Sequence, residues 1–250
     1  MNLMDPSAVD IADYQAAIFD MDGVVTRTAT VHARAWKEMF DAFLQAHAER
    51  TGTPFIPFDE ETEYWEHVDG LPRQEGVRRF LAARGIDLPE GEEDDPPEYD
   101  TIHGLGRRKD ALIQAVIERD GVEVFPDWLE RVRQWRAAGV RTAIVSSSRN
   151  CRRMIEAAGI EDLFDARVDG ETARELGLRG KPDADIFLVA AERLGVAPGQ
   201  SVVFEDAISG VQAGAAGPFA LVVGVARHDN HDVLRAHGAD VAVAALTELS

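Results

Sequence analysis

The stretch Ala16-Ala17-Ile18-Phe19-Asp20-Met21-Asp22-Gly23 decides the fold. A short apolar run, stopped by two carboxylates and a glycine, predicts a buried parallel strand that delivers a polar loop at its carboxyl end. Asp20 and Asp22 lie two residues apart, so in an extended chain their side chains return to the same side. Gly23 allows a sharp turn directly after them. One carboxylate can act as a covalent nucleophile towards phosphorus. Its neighbour can then move a proton to or from the leaving or attacking oxygen. Taken alone, the pattern fits equally well a polar strand end that makes only turn hydrogen bonds.

Working outward, comparable polar ends recur. Arg141-Thr142-Ala143-Ile144-Val145 predicts a strand that ends in Ser146-Ser147-Ser148, with Arg149-Asn150 opening a helix. Hydroxyls and backbone N–H groups at a helix N-terminus form an anion site; read plainly, they form a serine cap. Ser201-Val202-Val203-Phe204 predicts a strand that delivers Glu205 and Asp206. Mg²⁺ takes carboxylate, carbonyl and water oxygens, so Asp206, Asp20 and the carbonyl of Asp22 are expected to hold it, with Glu205 beside them. Without a cation, four gathered carboxylates would repel one another.

That cation has a partner in Lys181, within Arg179-Gly180-Lys181-Pro182-Asp183. Of the chain's 26 basic residues, only Lys37, Lys109 and Lys181 are lysines. A chain that otherwise uses arginine keeps lysine where a compact, mobile charge is needed and a planar fork would not fit. Lys181 is expected to neutralise both the nucleophilic carboxylate and a transferring phosphoryl oxygen. Pro182 reads as the first residue of a helix running to about Leu194.

Strands near Ala16–Phe19, Arg141–Val145, Ala166–Val168, Ser201–Phe204 and Ala220–Val225 alternate with helices over Asp127–Ala138, Arg149–Ala158, Asp183–Leu194 and Ile208–Ala216. Such alternation implies right-handed βαβ units and a parallel sheet with helices on both faces. The first strand is cut off from the rest by a different kind of sequence. A helix over Thr30–Arg50 presents Ala35, Trp36, Met39, Phe40 and Phe43 on one face. A Pro-, Gly- and acid-rich stretch follows, including Glu90-Gly91-Glu92-Glu93-Asp94-Asp95, and then a helix over Lys109–Asp120. Residues 1–30 and 122–250 are therefore expected to form the α/β core, and 31–121 an inserted helical cap.

The bulk numbers exclude several classes. A net charge of −19 argues against nucleic acid or an anionic membrane as partner. No apolar run approaches the roughly 18 residues of a membrane span. Met1–Asp13 has neither a basic nor an apolar signal region. One cysteine, Cys151, permits no internal disulfide and fits a reducing cytoplasm. At a helix start its pKa could be lowered, but no histidine lies nearby in sequence, and a structural thiol is the preferred reading.

Four motifs carry a family likeness. They are Phe19-Asp20-Met21-Asp22-Gly23-Val24-Val25-x-x-Thr28, Ile144-Val145-Ser146-Ser147-Ser148, Gly180-Lys181-Pro182 and Phe204-Glu205-Asp206-x-x-x-Gly210-Val211-x-Ala213-Gly214. In this order they resemble the haloacid dehalogenase (HAD) superfamily, in its subfamily with a helical cap between the first and second motifs. The resemblance implies a doubly wound, Rossmann-like α/β core and Mg²⁺-dependent phosphoryl transfer through an aspartyl phosphate on Asp20. Asp22 would be the acid–base, with Ser146 and Lys181 on the phosphoryl oxygens and Gly23, Ser147, Ser148 and Asn150 around them.

Within the superfamily, His32-Ala33-Arg34-Ala35-Trp36-Lys37, Val68-Asp69-Gly70-Leu71-Pro72-Arg73 and Gly104-Leu105-Gly106-Arg107-Arg108-Lys109 are similar to β-phosphoglucomutases and sugar-phosphate phosphatases. That likeness implies a small phosphorylated sugar as substrate, Arg73 on a distal phosphate, and Lys109 with His32 at the seam of cap and core. A monomer is expected. Arg27, where related mutases often carry an acid, and the long acidic loop of 89–100 depart from the mutase pattern. Dehalogenation is disfavoured by Asp22 and Asp206 together, and a non-catalytic binding role by the intact motifs.

Overall fold

A computed structural model describes residues 5–250 of the chain, which divide into an α/β unit (5–27 and 122–250) and a helical unit, Thr28–Gly121. The quoted stretch is the first strand, β1 (Ala16–Asp20), and all five of its residues are buried. It lies near the middle of a six-stranded parallel sheet of order β3-β2-β1-β4-β5-β6. The other strands are β2 (Arg141–Val145), β3 (Ala166–Val168), β4 (Ser201–Glu205), β5 (Leu221–Val225) and β6 (Val241–Val243). The order reverses direction at β1, with β2 on one side and β4 on the other. This is the switch point at which open parallel sheets bind ligands beyond their carboxyl ends.

The helical unit holds α1 (Ala29–Thr51), α2 (Glu63–His67), α3 (Arg73–Ala83) and α4 (Ile102–Asp120). Trp36, Met39, Phe40 and Phe43 on α1 meet Phe58, Val77, Phe80 and Leu105 in one buried cluster, with the Phe40 and Phe80 rings 4.0 Å apart. Burying each such ring contributes about 1.5–3 kcal/mol. The helix expected to begin at Lys109 starts seven residues earlier. Thr101 caps it, its hydroxyl accepting from the Gly104 N–H at 2.9 Å and donating to Asp95 at 2.7 Å. The acidic loop is pinned by arginines: Glu90 by Arg78, and Asp100 by Arg50 at 3.0 Å. Among the described residues, no helix is long and apolar enough to cross a membrane.

In the α/β unit, helices α5 (Pro126–Ala137), α6 (Cys151–Ala158), α7 (Gly170–Leu176), α8 (Asp185–Leu194), α9 (Ile208–Ala216) and α10 (His231–Ala236) cover the sheet. The two-residue period of β1 sorts its side chains. Ala16 and Ile18 pack with Val145, Val203 and the α8 residues Phe187 and Ala190. Phe19 stacks on Phe204 at 4.7 Å and meets Trp128 of α5 edge-on at 5.8 Å. Asp20 therefore emerges on the α8 side. Pro182 is not the first residue of α8, because that helix begins at Asp185 and Pro182 sits in the turn before it, after a cis Lys181–Pro182 bond.

Candidate active site

The strand periods bring the acids together. Phe19 pairs with Phe204 across β1 and β4, so the next residues, Asp20 and Glu205, fall side by side on the α8 face, with Asp206 just beyond the strand. Asp20, Glu205 and Asp206 are all buried and offer oxygens within 4.8 Å of one another; no other such group of acidic, histidine or cysteine side chains occurs among the described residues. Lys181 arrives from the turn ahead of α8, also buried, and donates to Asp20 Oδ1 at 2.5 Å and to Glu205 Oε1. The second oxygen of Glu205 accepts from the Ala207 N–H at 3.0 Å.

Exposure separates the roles these carboxylates can take. The side chain of Glu205 is 0% exposed and that of Asp20 is 9% exposed, so Asp20 is the member of the Lys181 pair that can meet a substrate. Burial pushes the Asp20 carboxyl well above the usual aspartate range, and the charges of Glu205 and Asp22 add to this, while the Lys181 ammonium pulls it down. For Lys181, burial disfavours the charge, but Asp20 and Glu205 outweigh it and hold the ammonium well above the usual lysine range. One ammonium among three buried carboxylates leaves negative charge uncompensated where water screens it little. An all-oxygen donor set of this size suits a hard divalent cation, so the residues fit the metal that the sequence implies.

Two glycines are required by this crowding. A Cβ on Gly23 would stand 1.7 Å from Asp206 Oδ2, and Gly23 has φ +79°. A Cβ on Gly210 would stand 1.8 Å from Glu205 Oε1. Asp22, half-buried, follows Asp20 in the same loop, which closes on itself when Val25 and Thr26 donate to the Met21 carbonyl at 2.9 Å.

Ser146 is buried at the end of β2, one residue past the Asp20–Val145 register pair. Ser148 and Asn150 differ from the expected open ring of donors. The Ser148 N–H is taken by Ser146 Oγ and the Asn150 N–H by Ser148 Oγ, both at 3.1 Å. Ser147 lies between them, and its carbonyl would be 2.5 Å from a Cβ on Gly170. The helix expected over Arg149–Ala158 begins two residues later, at Cys151. Burial pushes the Cys151 thiol well above its ordinary value, with Asp169 adding to the effect, so the N-terminal dipole does not prime it as a nucleophile.

His32, Arg73 and Lys109 lie in the helical unit. The Lys109 ammonium meets His32 Nδ1 at 2.7 Å, both residues buried, and lies 5.1 Å from the centre of the Trp36 ring. Arg73 donates to Asp110 Oδ1 at 2.8 Å. Two residues that hold the backbone of the Asp22 loop carry no sequence signal. Thr26, fully buried, donates its hydroxyl to the Met21 carbonyl at 3.1 Å, and Arg227 binds the Gly23 carbonyl. Both act on backbone oxygens, which leave no pattern in side-chain spacing.

Comparison with known proteins agrees with this geometry. The profile of the haloacid dehalogenase-like hydrolases matches residues 14–217. A Mycobacterium bovis protein named β-phosphoglucomutase is 48% identical over 238 residues, covering 94% of this chain and 91% of its own. A fructose-1-phosphate phosphatase of Escherichia coli is 30% identical, over 80% of this chain and 90% of its own. A crystal structure of a Clostridium difficile β-phosphoglucomutase superposes with a TM-score of 0.73 at 24% identity, covering 95% of this chain and 93% of that one, which speaks to the fold. With three of the four motif ends meeting in one carboxylate–lysine cluster, the Ser146 end on the strand beside β1, and the family profile spanning all four, the chain belongs to the haloacid dehalogenase-like hydrolases and is a phosphatase or phosphomutase of that family.

Proposed function

We propose that this enzyme is β-phosphoglucomutase-like, moving a phosphoryl group on a small phosphorylated sugar through an aspartyl phosphate on Asp20. The observation that carries the reading is the Asp20 carboxylate. It is buried but for 9% of its side chain and held at 2.5 Å by a buried ammonium, in an acidic cluster that could hold a cation. An Asp20 oxygen attacks phosphorus in line, and the phosphorus–sugar oxygen bond breaks as Asp22 gives that oxygen its proton. Lys181 and the Ser146 hydroxyl stabilise charge on the transferring group. On the return step Asp22 takes the proton of the incoming hydroxyl.

Asp20, Asp206 and the backbone carbonyl of Asp22, with Glu205 beside them, are the groups that would hold Mg²⁺, which when bound would neutralise negative charge at the transferred group. Residues 31–121 are assigned as the cap, with Gly23, Ser147, Ser148 and Asn150 around the transferred group. Lys109 and His32 are assigned to the cap's end of the substrate, and Arg73 to its second phosphate, which must compete with Asp110 for the guanidinium. A single buried thiol suits a reducing cytoplasm, and we take a cytoplasmic monomer as the working form.

Hydrolysis of the aspartyl phosphate by water, giving a sugar-phosphate phosphatase, is the second reading; the E. coli relative's name favours it. The test is a panel of sugar phosphates with Mg²⁺, run on wild type, Asp20→Asn and Asp22→Asn. Turnover lost in both variants and on chelation supports the proposal. Activity retained by Asp20→Asn contradicts it.

A further inference from the structure

The loop that carries Asp22 and Gly23 is held by a residue from the far end of the chain. Arg227, two residues past β5, donates from Nε to the Gly23 carbonyl at 3.1 Å and from Nη2 to the Val24 carbonyl at 3.4 Å. Its Nη1 reaches Asp127 Oδ2 at 3.0 Å and the Ala244 carbonyl at 3.1 Å. The guanidinium lies 3.8 Å from the centre of the Phe125 ring. Side-chain exposures of 12% for Arg227 and 16% for Asp127 set this pair apart from solvated surface bridges, which contribute little. Asp127 is itself fixed, because the same oxygen accepts from the Leu246 N–H at 2.8 Å.

Consecutive carbonyls of the loop are thus each held. Gly23 and Val24 are held by Arg227, and Val25 by the N–H of Phe125 at 2.9 Å, the residue on whose ring Arg227 rests. On its other side Gly23 abuts the Asp206 carboxylate, with no room for a Cβ. The peptide that follows Asp22 is therefore gripped between the acid cluster and the guanidinium. A planar fork can serve the Gly23, Val24 and Ala244 carbonyls and a carboxylate while stacking on a ring, which an ammonium cannot.

We infer that Arg227 is a positioning residue for proton transfer, fixing Asp22 relative to Asp20 through the Gly23 and Val24 carbonyls. The inference rests on the role proposed above for Asp22. In the step concerned, the bond from Asp20 oxygen to phosphorus forms, the phosphorus–sugar oxygen bond breaks, and the Asp22 proton ends on the sugar oxygen. A sugar hydroxyl is a poor leaving group that needs this proton, whereas p-nitrophenolate departs without it.

The experiment measures kcat/KM for β-glucose 1-phosphate, at a fixed concentration of glucose 1,6-bisphosphate, and for p-nitrophenyl phosphate, both with Mg²⁺, in wild type, Arg227→Lys, Arg227→Gln and Asp22→Asn, with circular dichroism alongside. Misplacing an acid by an ångström costs on the order of 100-fold. The expected result is a fall of about 10- to 100-fold for the sugar phosphate in Arg227→Lys, with the aryl phosphate within about threefold. Arg227→Gln is expected to follow the same pattern; if it loses its fold, Arg227→Lys carries the comparison alone. Equal losses on both substrates, or no loss on either, would overturn the inference by making Arg227 purely structural or dispensable. Sugar-phosphate turnover that survives Asp22→Asn would instead overturn the proposed role of Asp22, and the inference with it, so the two failures are told apart.

Discussion

Lys181 holds two carboxylates with its own charge out of water, and this is a position that the chain's preferred cation cannot fill. Arginine would bring a wider, planar group into a space closed by the Phe187 ring at 5.2 Å. Lys181→Arg is expected to lower kcat/KM by about 10²–10³-fold, the scale on which a lost transition-state donor counts. Steady-state kinetics on an aryl phosphate check this, and near-wild-type activity would refute it. Gly23→Ala places a methyl into Asp206 and demands an uncommon φ. It should raise the Mg²⁺ concentration for half-maximal activity several-fold, as read from a metal titration. Asp20, Glu205 and Asp206, which the structure brings together, stand out in the sequence because each lies at or just past the end of an apolar run. Lysine scarcity singled out Lys181 and Lys109, both of which the structure buries. It did not separate them from Lys37, which holds only the Phe58 carbonyl at 2.9 Å and Asp41 at 2.8 Å.

At the level of elements, strands β1 to β5 were readable, the three-residue edge strand β3 included, whereas β6 and the short helices α7 and α10 were not. β6 has only Val241–Val243, and α10 and α7 have six and seven residues, too few turns for a periodic apolar face. The α7 start was signalled by Asp169, whose carboxylate accepts from the Thr172 N–H at 3.0 Å, but one aspartate among many is a weak mark. The early start of α4 was hidden by Gly104 and Gly106, residues that ordinarily disfavour a helix.

In the helical unit, Arg84 after α3 clamps Glu63 at the start of α2 with two bonds, of 2.5 and 2.8 Å. Burial raises the Glu63 carboxyl, but the Arg84 bonds and the Asp59 N–H more than reverse it, leaving the pKa below the usual glutamate range. A group depressed in the folded state stabilises above its unfolded pKa, about 4.3. That stabilisation is lost as pH falls through the folded value. Urea midpoints measured between pH 5 and 3 should therefore fall less steeply in Glu63→Gln than in wild type; parallel curves would remove the clamp from the account.

For the whole molecule, the proposed function asks a strongly acidic chain to bind a doubly charged phosphate ester where one ammonium faces three carboxylates, so a bound divalent cation would be needed to make that place attractive to it. The net charge of −19 opposes phosphate at long range, so activity should rise with moderate salt as the repulsion is screened. Initial rates at substrate concentrations well below KM, from about 20 to 200 mM NaCl, check this; a monotonic fall would contradict it. The mutase and phosphatase readings proposed above use the same residues of this chain up to the aspartyl phosphate. What separates them is the fate of the phosphoryl group on Asp20, which no single side chain encodes. The decisive measurement supplies Mg²⁺ and β-glucose 1-phosphate, with and without a trace of glucose 1,6-bisphosphate, and assays glucose 6-phosphate and inorganic phosphate separately. Glucose 6-phosphate that depends on the bisphosphate and disappears in Asp20→Asn is the predicted result; inorganic phosphate as the only product, or no product, would contradict the mutase assignment.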